Sequence, residues 1–108
     1  MKRDLRAQRL NHAIAEAVQA FILPEAHDPR VAALEVAAVD LAGDLHNVTI
    51  HLVPALGEPA LPVDDLKDVL LRAEPWFRLR ISEHVSMKRS PVVHLEYIPL
   101  LRKRPPKV

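Results

Sequence analysis

Apolar residues recur along the chain at two spacings, and the changes of spacing mark out its elements. Leu10, Ile14, Ala17, Val18 and Phe21 stand at i, i+4, i+7, i+8 and i+11, one stripe of an amphipathic helix. Alanines at 7, 13, 15 and 20 favour that helix and Pro24 ends it, so it is predicted from Asp4 to Leu23. Asp28-Pro29-Arg30 reads as a turn, with proline fixing φ and the aspartate placed to bond nearby amides. From Leu34 the period becomes two. Leu34 and Val36 share one parity while Val39 and Leu41 share the other. All four reach one face only if an extra residue enters, so a bulge is predicted near Ala37–Ala38. After the turn Ala42-Gly43-Asp44-Leu45, Val48, Ile50 and Leu52 alternate with Thr49 and His51 as the second arm of a hairpin.

Residues 54–62, with three prolines and Gly57, form a connection. Asp64 and Asp65 then sit where helix N-termini favour carboxylates, ahead of Leu66, Val69, Leu70 and Ala73. Pro75 falls inside this pattern, and Phe77, Ile81 and Val85 resume it. A proline removes an amide donor and clashes with the preceding turn, so two short helices are predicted to meet at Ala73-Glu74-Pro75. Val93, Leu95 and Tyr97 alternate with His94 and Glu96 as a third strand.

The predicted order is helix, strand, strand, helix, kink, helix, strand. It has no repeat and no parallel βαβ run, and its economical packing is an α+β domain: a three-stranded sheet with helices on one face. Residues 1–98 are expected to form that domain and 99–108 a flexible basic tail.

Composition narrows the chemistry. Nearly half the residues are apolar, enough for one core in 108 residues. The absence of cysteine excludes disulfides, thiolate metal sites and cysteine nucleophiles. With no signal-peptide pattern and no span of transmembrane length, a cytoplasmic protein is expected, with no membrane partner. Charge changes the picture most. The net charge of +1 hides a segregated chain. Residues 1–9 balance at +3, from Lys2, Arg3, Arg6 and Arg9 against Asp4. Residues 10–71 balance at −8, and residues 72–108 at +6. One-signed patches attract polyanions even on a near-neutral protein.

The order of elements resembles the type II KH fold, a single-domain RNA-binding module. Asp28-Pro29-Arg30-Val31, followed by Val39-Asp40-Leu41-Ala42-Gly43-Asp44-Leu45-His46-Asn47-Val48, resembles the hairpin signature of the ribosome-binding factor A family, which reads D-P-R-L and then V-E-V-S-P-D-L-S-x-A. Ala73-Glu74-Pro75-Trp76-Phe77-Arg78 resembles that family's A-x-G-F-[IL]-R segment, and Pro91 the proline that opens its last strand. The resemblance spans roughly Arg6 to Tyr97. Pro75 replaces the family's kink glycine, and Glu74 its small middle residue; a carboxylate there repels phosphate and moves the expected RNA contact away from the kink.

The resemblance implies a factor that binds the free, immature small ribosomal subunit and its rRNA. It would assist late maturation, including processing of the rRNA 5′ end, and leave before translation. Candidate RNA-binding residues are Arg6, Arg9, Arg78, Arg80, Lys88, Arg89, Arg102, Lys103 and Arg104. Arg6 and Arg9 are neighbours on one helix face. Arg78 and Arg80 lie about 200° apart on a helix and cannot meet the same phosphate. Each cation also has a bland reading, as a solvated side chain. Trp76 fits the core better than a base-stacking site, and Tyr97 is expected half-buried. His12 and Glu16 make a helical pair but too few ligands for zinc, and no serine–histidine–carboxylate order or glycine-rich phosphate loop occurs. The protein is therefore expected to be a monomer, not an enzyme, with no cofactor, no metal and no small-molecule substrate. A general single-stranded RNA binder and a protein-interaction module using the acidic middle are the other readings.

Overall fold

The computed structural model describes residues 2–99, with side chains from Leu5 onward. The first helix, α1 (Lys2–Ala17), passes into a π turn at Val18–Ile22 and a 3₁₀ turn at Leu23–Glu25 that carries Pro24. The predicted stripe holds through Ile14, Ala17 and Val18, which are buried, and then changes. Phe21 is 51% exposed, while Ile22 and Leu23 are buried in its place. A π turn adds a residue to the turn, which swings Phe21 off the core side and brings Ile22 onto it. Within that turn the Gln19 Oε1 accepts from the Val36 amide at 2.8 Å and ties the helix end to the first strand.

Asp28 does more than start a turn. Its carboxylate accepts from the Arg30 amide at 2.9 Å and caps α2 (Pro29–Ala32), with Pro29 at the first helical position. The Arg30 guanidinium also donates to this carboxylate at 2.8 Å, holding its pKa below the usual value. Arg30 reaches on to the Asp65 carbonyl at 3.2 Å.

Strands β1 (Leu34–Leu41) and β2 (Asn47–Pro54) pair antiparallel, with the register shift between Val36 and Ala38 that the parity change required. The shift places Leu34, Val36, Val39 and Leu41 opposite Pro54, Leu52, Ile50 and Val48, so both arms present one apolar face. In the connecting turn Leu45 has a φ of 56°. The Asp44 carboxylate accepts from the His46 amide at 2.8 Å, the Asn47 amide at 3.1 Å and Asn47 Nδ2 at 2.8 Å. These bonds, led by the Asn47 amide, lower its pKa to about 2.

Strand β3 (Val92–Tyr97) corrects the expected topology, because it pairs with β2 in parallel. The chain from β2 through α3 (Val63–His84) to β3 is thus a βαβ crossover, the connection that parallel neighbours require. Alternation along β3 specified a face and carried no information about direction. The sheet order is β1-β2-β3.

The two short helices expected around Pro75 are also corrected. One helix, α3, runs through it for 22 residues. Pro75 and Leu71, whose carbonyl loses the proline's missing donor, are both exposed, so water can satisfy that carbonyl. The helix buries Leu66, Leu70, Phe77 and Ile81 against the sheet face built by Val48, Ile50, Leu52, Val93 and Leu95. Each such full burial contributes roughly 1.5–3 kcal/mol. The result is a mixed α+β domain with its helices on one face of a three-stranded sheet.

Candidate nucleic-acid interface

The loop from Ser86 to Ser90, between α3 and β3, joins residues that lie far apart in sequence. Arg6 and Arg9 of α1 line a cavity of about 410 Å³ together with Lys88 and Arg89 of this loop. Leu10, Leu45 and Met87 supply its apolar wall. A second cavity, about 580 Å³, runs along the C-terminal half of α3 and is lined by Pro75, Arg78, Leu79 and Ser82 on the helix side. Ser86, Met87 and Arg89 line both cavities, so they are two bays of one groove.

Five of the candidate cations thus meet along one surface: Arg6, Arg9, Arg78, Lys88 and Arg89. All five are exposed, and no carboxylate among the described residues pairs with them. The one acidic lining residue among the described residues is Asp44, whose carboxylate is already occupied by three turn donors. Unpaired cations on a concave surface suit a polyanion, since phosphate contacts supply most of the affinity in nucleic-acid binding.

Arg78 is held differently from the other four. Its Nε donates to Ser90 Oγ at 3.0 Å, and Ser82 Oγ donates to the Arg78 carbonyl at 3.0 Å. The two serine oxygens stand 3.3 Å apart.

Arg80 lies outside the groove. Its guanidinium pairs with Glu25, donates to Glu83 at 2.7 Å, and sits 6.0 Å from the centre of the Trp76 ring. Trp76 itself is half-buried and packs edge-on to Phe77, with centroids 5.4 Å apart. The residues of the expected kink, Ala73, Glu74 and Pro75, do not all line the groove. The Glu74 Oε2 accepts from the Leu95 amide at 3.0 Å, Ala73 packs against the core, and Pro75 alone of the three lines the groove. Tyr97 is half-buried and donates its hydroxyl to the Leu61 carbonyl at 2.8 Å. Lys2 and Arg3 lack described side chains, and Arg102, Lys103 and Arg104 lie outside the described residues.

Sequence reasoning missed Ser82, Ser86, Met87, Ser90 and Leu45 as groove residues. The available signal was the stretch Ser86 to Pro91, polar and without periodicity between two strong apolar patterns, where binding residues concentrate.

Comparison with known proteins places the chain in a family. Residues 6–98 match the family model described as ribosome-binding factor A. A ribosome-binding factor A from Desulfitobacterium hafniense is 30% identical over 92 residues, covering 85% of this chain and 72% of that protein. One from Halorhodospira halophila is 26% identical over 86 residues, covering 80% and 68%. The crystal structure of ribosome-binding factor A from Thermus thermophilus superposes with a TM-score of 0.58 at 27% identity, over 90% of this chain and 94% of that one. A homology model of the Thermus thermophilus factor, fitted into the cryo-EM map of its complex with the 30S subunit, gives 0.54 at 29% identity, over 86% and 89%. Fold, family model and relatives agree: the chain belongs to the ribosome-binding factor A family.

Proposed function

We propose that this protein binds the free, immature small ribosomal subunit through the two-bay groove and assists its late maturation, including processing of the rRNA 5′ end. The observation that carries the reading is the meeting of Arg6 and Arg9 with Lys88 and Arg89 in one bay, all without acidic partners among the described residues. The fitted Thermus factor in its 30S complex supplies the partner by likeness. The action is stoichiometric: higher affinity for an immature rRNA conformation than for the mature one shifts the population toward the bound form, with no bond made or broken. In this reading the factor meets its subunit in the cytoplasm as a monomer. No helix among the described residues is long and apolar enough to cross a membrane.

Gradient sedimentation of cell extract tests this. The protein should travel with free small subunits and be absent from assembled ribosomes. Five groove cations on single-stranded RNA give a log–log salt slope of about −3.5. A flat salt dependence, or no co-migration at low salt, overturns the reading. Equal affinity for short single strands and for subunits would instead mark a general RNA binder.

A further inference from the structure

The two bays differ in chemistry. The first holds four of the five cations. The second has a single arginine that belongs to it alone, Arg78, over an apolar floor of Pro75, Leu79, Val85 and Met87. Leu79 is 59% exposed there, although the chain has apolar partners at hand in the core. Phosphate gains nothing from such a floor, whereas the face of an unstacked base does.

Arg78 is set to read that base. Its Nε is taken by Ser90 Oγ at 3.0 Å, and Ser90 in turn is within 3.3 Å of Ser82 Oγ, whose hydroxyl donates to the Arg78 carbonyl. This fixes the guanidinium and leaves its two terminal amino groups with no partner among the described residues. A fork of two parallel N–H donors requires two neighbouring acceptors. Guanine offers them at O6 and N7. Adenine presents an acceptor beside a donor there, and uracil has no such pair; cytosine has neighbouring acceptors at N3 and O2, but its single ring covers less of the apolar floor. Arg89, which lines both bays, stands where the nucleotide's own phosphate would pass from one to the other.

We propose that the larger bay is a guanine-reading pocket: an unpaired guanine stacks on Pro75, Leu79, Val85 and Met87 with its O6 and N7 on Arg78, while the neighbouring bay grips the phosphates. Ser90 is a positioning residue that orients the fork. The assignment deepens the RNA reading of the groove and depends on it.

The test uses short uridine oligoribonucleotides with one central residue varied among guanosine, inosine, 7-deazaguanosine, adenosine and cytidine. Affinities are measured by fluorescence anisotropy beside binding of small subunits. Guanosine and inosine, which share O6 and N7, should bind about tenfold tighter than adenosine, with cytidine, whose N3 and O2 can also meet the fork, falling in between. The 7-deaza base should fall to the adenosine level. Arg78→Lys keeps the charge but loses the fork, so it should abolish the guanosine preference; Ser90→Ala should narrow it. Lys88→Ala should weaken every oligomer equally and leave the ratio intact. Unchanged melting temperatures exclude misfolding as the cause. A flat base series with a uniform loss in Arg78→Lys makes Arg78 a phosphate contact and overturns the pocket while sparing the RNA reading. Failure of the wild type to bind any oligomer or subunit overturns both.

Discussion

Arg78 and Arg80 stand two residues apart on one helix and serve opposite sides of the molecule. Arg80 is spent on the fold. Glu25 from the 3₁₀ turn and Glu83 from its own helix share its guanidinium over the Trp76 ring, pinning α3 to the end of the first helix. Close by, Phe21 and His84 stack with centroids 5.0 Å apart. On Arg78's side only two neutral serines among the described residues meet the guanidinium and its turn, and the charge stays available. The comparison teaches that the net charge of a segment overstates its capacity to bind a polyanion. What counts is the cations left unpaired after folding, and in the segment from residue 72 onward the structure removes Arg80 from that set.

The largest expected effect tests the open side. Replacing Arg9 and Lys88 together by glutamate should weaken subunit binding on the order of 100-fold and make the salt slope shallower by about 1.4. The urea midpoint should not move. Next comes the committed side. Arg80→Ala removes two carboxylate partners and the contact with Trp76, and should cost about 1–2 kcal/mol of stability by urea unfolding while leaving binding within about twofold. If Arg80→Ala instead impairs binding as strongly as loss of the groove cations, the division between the two faces is wrong. Glu74→Ala, which strips the acceptor from the Leu95 amide, should cost about 1 kcal/mol by the same measurement.

The smallest effect concerns Asp44, the carboxylate inside the basic groove. Its pKa is lowered from 3.8 to about 2 in the folded protein, so the ionised form contributes stability above roughly pH 4 that is lost as the pH falls through about 2. Asp44→Asn should therefore unfold at a lower urea concentration than the wild type at neutral pH. That gap should close across the same window. The same variant should bind RNA slightly more tightly at neutral pH, because one repulsive charge has left the groove.

The legible parts of this fold are those where one residue's neighbours along the chain decide its place. The bulge in β1 follows from parity, since Leu34 and Val36 cannot share a face with Val39 and Leu41 otherwise. The opposition of Arg78 and Arg80 follows from helical geometry alone. What escaped were outcomes decided across space. Nothing in the spacing of Phe21 and Ile22 announces the π turn that exchanges them, because tertiary packing chooses it. The continuity of α3 through Pro75 depends on water reaching the Leu71 carbonyl, and the direction of β3 depends on where α3 delivers the chain. The groove was half visible. Arg6, Arg9, Lys88 and Arg89 stood out as charges, but the contact between a helix start and a loop some eighty residues later belongs to the fold.

Glu74 takes on another meaning at the sheet's margin. β3 is an edge strand, and the free amides of an edge are an invitation to a strand from another chain. The carboxylate on the Leu95 amide occupies one of them, and an incoming strand would have to displace it and would meet its charge. The residue that looked like an obstacle to RNA thus leaves the sheet's margin one open donor fewer for edge-to-edge pairing with a second copy.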